Sequence, residues 1–121
     1  MMRRMKNLAC ALLICSTVFY AHTASANDAT TLKSLENARH AGTSVKVKYA
    51  CAKENYALVG WGDENVGGES LYHKVGSKWQ LVMGGGGAMG SNDLTALHVP
   101  AKTATALIHS YQTRKPGSTS C

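Results

Sequence analysis

Residues 28–41, DATTLKSLENARHA, carry Ala29, Leu32, Leu35 and Ala38 at helical spacing behind Asp28, an N-cap residue type, and Gly42 supplies a stop. This pattern predicts a first helix. The period then changes from three or four residues to two. In SVKVKYAC, Val45, Val47, Tyr49 and Cys51 alternate with Lys46, Lys48 and Ala50, so a strand with one apolar and one basic face is predicted. NYALVGW (55–61) reads as a second strand, apolar on both faces. GDENVGG (62–68) reads as a turn, ESLYHKV (69–75) as a third strand and KWQLVM (78–83) as a fourth. Gly76-Ser77 leaves room only for a tight hairpin between the last two. Beyond the glycine run, Ser91, Asn92 and Asp93 are N-cap types for a short helix over 94–97. Pro100 suits the first turn of a final helix with Ala101, Ala104, Leu107, Ile108 and Tyr111 on one face.

Strands joined by short turns make an antiparallel meander. With helices before and after it, the expected fold is a small α+β domain: an N-terminal helix, a four-stranded antiparallel sheet, and one or two C-terminal helices packed on one face. Helices covering one face of that sheet are expected to give a two-layer domain.

The residues ahead of this domain change its expected location. Arg3, Arg4 and Lys6 precede the apolar stretch 8–20, and Ala24-Ser25-Ala26 offers the small residues of a signal-peptidase site. Residues 1–26 are thus expected to be a cleaved signal peptide, with 27–121 as a single domain in the periplasm or outside the cell. The apolar stretch is too short for a permanent membrane span. Removing three of the 13 basic residues and none of the 7 acidic ones leaves a mature charge of +3, an ordinary solubility charge rather than a nucleic-acid footprint. Cys10 and Cys15 leave with the signal. Cys51 and Cys121 remain, and an even pair in an oxidising compartment is expected to form one disulfide, the alternative being a free or intermolecular thiol at Cys121.

WQLVMGGGGAMGSNDL (79–94) contains G-x-G-x-x-G at Gly85, Gly87 and Gly90. A dinucleotide loop needs a parallel βαβ unit and an acidic residue about twenty positions on. Here the strand belongs to a hairpin, and Ser110 and Tyr111 stand near that distance. A phosphate loop would need Lys after Gly90, where Ser91 stands. The run is read as architectural, with one residual chemistry: free N–H groups at Gly85, Gly86 and Gly87 forming an anion-binding nest.

Candidate metal ligands are Met83, Met89, His73 and His98, thioether and imidazole suiting copper. None lie in tight ligand spacing, and His73 shares a strand face with Leu71 and Val75. Asp63, Glu64 and Glu69 cluster about one turn, where acids are commonly solvated turn residues. Lys46 and Lys48 with Lys53, Lys74 and Lys78 would form a basic patch if their strands were close neighbours. No serine sits in a nucleophile elbow, so an enzyme is not expected and no catalytic residue is assigned.

The run YALVGW…GGESLYHKVGSKWQLVMGGGGAMG…L…VPA…A.AL (56–107) resembles small exported bacterial proteins of the copper-uptake-system-associated type, over about half the chain. The shared features are Tyr-Ala before a Trp, Gly67-Gly68 ahead of an apolar strand, Gly-x-x-Trp ending at Trp79, the glycine turn at Gly84–Gly87, and Val99-Pro100. Met83 stands where those proteins often carry a cysteine. The resemblance implies a periplasmic accessory protein with copper as a candidate ligand. The expected function is non-enzymatic binding of another envelope or secreted protein, without nucleic acid and without a resident cofactor. The alternatives are copper handling and inhibition of an exported hydrolase, the latter through a protruding loop such as 62–68.

Overall fold

The computed structural model describes residues 26–121, so the segment expected to be a signal peptide lies, but for Ala26, outside the described residues. Helix α1 (Ala26–Arg39) is followed by strands β1 (Lys46–Lys53), β2 (Tyr56–Gly62), β3 (Gly67–Val75) and β4 (Lys78–Gly86), then helices α2 (Ser91–Ala96) and α3 (Ala101–Thr113). The strands lie in the order β1-β2-β3-β4, every pair antiparallel, which is the expected meander. Among the described residues no helix is long and apolar enough to cross a membrane.

Helices cover both faces of the sheet, not one. Alternate residues of a strand point to opposite faces. Ala57 and Val59 of β2 and Tyr72 of β3 pack with Leu32 of α1. Leu58 and Leu71, their neighbours in sequence, pack with Leu94, Val99, Ala104 and Leu107 of the C-terminal helices. The C-terminal helices do share one face, and α1 occupies the other, giving three layers. The two-sided apolar character of NYALVGW is the sequence mark of a strand buried on both faces.

The elements depart locally from these expectations at four places. The simple alternation in β1 breaks at an irregularity between Val47 and Tyr49, opposite Trp61 and Gly60. Val47 therefore packs on the α1 side, while Tyr49 lies against Tyr111 of α3 with ring centroids 4.8 Å apart. Gly84–Gly86 continue β4 instead of turning, and the turn begins at Gly87, whose φ is +85°. Asp28 lies inside α1 rather than capping it, and Gly90 rather than Ser91 is the N-cap of α2, with the Asp93 carboxylate accepting from the Gly90 N–H at 2.8 Å. Gly42, at φ +84°, follows α1 in the left-handed conformation its stop role needs.

Cys51 and Cys121 are disulfide-bonded, their Cα atoms 4.8 Å apart. The bond holds the C-terminal segment along β1. The Ala50 N–H donates to the Thr119 carbonyl at 3.1 Å, and Ala50 and Ser120 form a parallel bridge. Lys33 Nζ, from α1, donates to Thr119 Oγ1 at 2.9 Å.

Candidate functional site

The periodicity of α1 points to Leu35 and Ala38 as inward positions, yet both are exposed. The buried side chains are Asp28, Leu32 and Glu36, four residues apart and so on one helical face. Glu36 has no exposed surface and is the centre of a polar cluster between α1 and the sheet. Its Oε2 accepts from Arg39 Nη1 at 2.7 Å and Ser70 Oγ at 3.0 Å, and lies 2.6 Å from His40 Nε2. Its Oε1 accepts from the Tyr72 hydroxyl at 2.7 Å. Burial, then donation to Glu36, raises the Tyr72 hydroxyl well above its ordinary value. His40 packs on Trp61 with centroids 4.7 Å apart.

Serine, histidine and carboxylate are the residue types of a hydrolytic triad, but the connectivity differs. A triad places histidine between serine and carboxylate, so that the imidazole can take the serine proton. Here Glu36 is the hub. Ser70 is fully buried, donates to Glu36, and accepts from Arg39 at 3.0 Å and from Trp61 Nε1 at 3.1 Å. Its lone pairs are spent, and the cluster is a buried strut.

Two more carboxylates are used the same way. Asp28 accepts from Trp79 Nε1 at 3.1 Å and from Lys74 Nζ at 3.0 Å. Glu69, on the opposite face of the sheet, accepts from the Tyr49 hydroxyl and from the Met89 N–H at 2.5 Å. Burial and that contact with Glu69 raise the Tyr49 hydroxyl far above its ordinary value. Arg114 stacks over Tyr49 and Tyr111, 4.3 and 4.8 Å from the ring centroids. Sequence reasoning missed Glu36, read Asp28 as a helix cap and took Glu69 for a turn acid. The available signal was a charged residue at i+4 from the best-buried leucine, and an acid heading an apolar strand.

The basic residues do not assemble as one patch. Strand β2 separates β1 from the β3–β4 hairpin. Lys74 is paired with Asp28 and lies 5.5 Å from the Trp79 ring. Lys46 and Lys48 instead line a shallow depression with Asp63, Glu64 and Ser44. Asp63 is committed within it: hydrogen bonds from Ser44 Oγ at 2.6 Å and from the N–H groups of Asn65 and Val66, both at 2.8 Å, hold its carboxyl below the usual range.

A cleft of about 380 Å³ lies between the glycine end of β4 and α2, lined by Met83, Gly85–Gly87, Met89, Ala96 and Leu97, with Asp93 as its charged member. Two of the four candidate copper ligands, Met83 and Met89, are therefore brought together. His73 and His98 do not line this cleft: His73 stacks on Tyr56 with centroids 4.4 Å apart, and His98 is exposed beyond α2 with φ +72°. Among the described residues no group of three or more His, Cys, Asp or Glu side chains is placed to hold a metal ion. The glycines do not form the nest considered above. Gly85 and Gly86 are extended strand, and the Gly87 N–H donates to the Gly67 carbonyl at 3.0 Å. Glu69 fixes one wall of the cleft through its bond to the Met89 N–H. No family model, curated protein or solved structure matches this chain.

Proposed function

We propose that this chain is a small exported, non-enzymatic binding domain of the cell envelope, and that the cleft between β4 and α2 takes an apolar segment of a partner protein. The observation that carries this reading is the division of labour among its side chains. The carboxylates of Asp28, Glu36 and Glu69 are closed into interlayer hydrogen bonds. The cleft, in contrast, is bounded by thioethers, small apolar groups and glycines, and Asp93 spends one oxygen on the Gly90 N–H. Such a lining favours burial of an apolar group over polar catalysis. Export rests on the signal-like residues 1–26.

A photoreactive side chain at Leu97 tests this. Irradiation in envelope extract should label one defined partner, and Met89→Lys should abolish that labelling while leaving the fold intact. Labelling that survives Met89→Lys would reject the cleft as the site.

Copper handling is the second reading, favoured by the shared position of Met83 and Met89. Titration with Cu(I) against a chelating dye separates the two. A copper site predicts at least a tenfold weaker affinity in both Met83→Ala and Met89→Ala. Equal affinities would remove copper from consideration.

A further inference from the structure

The two edges of the sheet are treated differently. An unpaired strand edge invites pairing with another chain unless it is covered or made irregular. The outer edge of β1 is partly covered by Thr119 and Ser120, latched through Cys51–Cys121. Among the described residues no strand pairs with the outer edge of β4. Its centre is apolar and open, Leu81, Val82 and Met83 being 42%, 41% and 49% exposed.

The peptide groups along this edge have an unusual spacing. Val75 and Lys78 flank a two-residue turn and form its closing hydrogen-bonded pair. By the alternation of an antiparallel ladder, Lys78 and Gln80 direct their peptide groups toward β3, and Trp79 and Leu81 direct theirs outward. Leu81 stands opposite Tyr72 and Met83 opposite Leu71, so Val82 is an extra residue. It delays the alternation by one step, and the next outward groups belong to Gly84 and Gly86. The inward Gly87 N–H, bonded to Gly67, agrees with that phase. The outward set is therefore 79, 81, 84 and 86. A regular strand presents a group at every second residue and cannot match the three-residue step. A second β4 running antiparallel can.

We infer that β4 pairs with β4 of a second copy of this chain about a two-fold axis between Val82 and Met83, joining the two sheets into one of eight strands. Under this axis Trp79 meets Gly86 of the partner and Leu81 meets Gly84, so each large side chain faces a glycine. The faces agree as well. Leu81 pairs with Tyr72 on the α1 side, and a Cβ on Gly84 would point at Ser70 Oγ and Arg39 Nη1 on that same side. Lys78, the charged residue of β4, falls opposite Gly87 of the partner and never opposite its own mate. The irregularity that turns away a generic strand thus admits a copy of itself. Each cleft would then have the partner's Lys78 at its Gly87 rim, whatever the cleft takes.

Sedimentation or light scattering should give the mass of two chains, falling to one in Leu81→Lys. Register is tested by mixing two single variants, Gln80→Cys and Gly85→Cys. Gln80 is exposed, and a Cβ at Gly85 meets nothing within 4 Å. The two positions oppose one another across the axis, so the mixture should form a disulfide between copies. Either variant alone should not, because each residue would lie five positions, about 17 Å, from its mate. A folded monomer at high concentration, a dimer indifferent to Leu81→Lys, or equal cross-linking in the single variants would each overturn the inference.

Discussion

Glu36 has no solvent exposure and four side-chain partners, so its loss is felt at every one of them. Breaking a buried charged network leaves the remaining groups desolvated and unpaired, at a cost of about 3–5 kcal/mol. Glu36→Ala should lower stability by that order in urea unfolding, and Tyr72→Phe, which removes one hydrogen bond to the same carboxylate, by roughly 1.5–3 kcal/mol. Glycine positions divide as sharply. A Cβ on Gly60 would sit 2.0 Å from the Tyr49 ring, whereas one on Gly85 meets nothing within 4 Å. Gly60→Ala should therefore cost about 1–3 kcal/mol through overpacking, and Gly85→Ala should be near neutral, both read from thermal melts. None of this is legible residue by residue in the sequence. An acid in a helix is read as solvent-facing by default, and only the three-dimensional meeting of α1 with Ser70 and Tyr72 shows Glu36 to be inside.

Elements were more legible than contacts. The change of period at residue 45 and the tight Gly76-Ser77 turn locate the strands because side-chain alternation and turn geometry are local properties. Layering is not local. A period of two says that a strand has two faces without saying which helix covers each, so the placement of α1 opposite the C-terminal helices is not in the pattern. Glycine runs are ambiguous for a similar reason. Gly84–Gly86 extend β4 because β3 supplies partners as far as Glu69, information held elsewhere in the chain. The pairing of Cys51 with Cys121 was readable from the two cysteines left once residues 1–26 are read as a signal, and its structural use is the cover it gives β1. In the chain-entropy account a loop of 70 residues makes this bond worth about 4 kcal/mol. Cys121→Ser should lose stability of that order. It should also raise amide exchange at Ala50, whose N–H bonds the tethered Thr119, more than at Val59 in the middle of the sheet.

Across the whole molecule, Tyr49 and Tyr72 anchor opposite layers, one donating to Glu69 and the other to Glu36. Both hydroxyls titrate well above their ordinary value of 10.0, chiefly because burial disfavours the phenolate. A raised folded value means that the unfolded chain releases its protons first. The stability these groups contribute is thus complete below pH 10 and declines as the pH climbs beyond it. Urea midpoints should be flat up to pH 10 with respect to these two groups and then fall. Tyr49→Phe and Tyr72→Phe should each shallow the fall. Their hydrogen-bond partners reveal something further about β3. Glu69 and Ser70 are adjacent, yet one serves the α3 layer and the other the α1 layer. Displacing β3 by a single residue exchanges the faces of both. A slip that carries Glu69 to the place of Ser70 would set a second carboxylate beside Glu36 and bring Gly68, which has no acceptor side chain, beneath the Tyr49 hydroxyl; the opposite slip would bring Leu71 against the Glu36 carboxylate in place of Ser70 Oγ. Two neighbouring side chains thereby penalise a one-residue slip in either direction, one by crowding two carboxylates and the other by leaving a buried carboxylate without a donor, so the chain discriminates its alignment at a point where apolar burial alone would tolerate a slip.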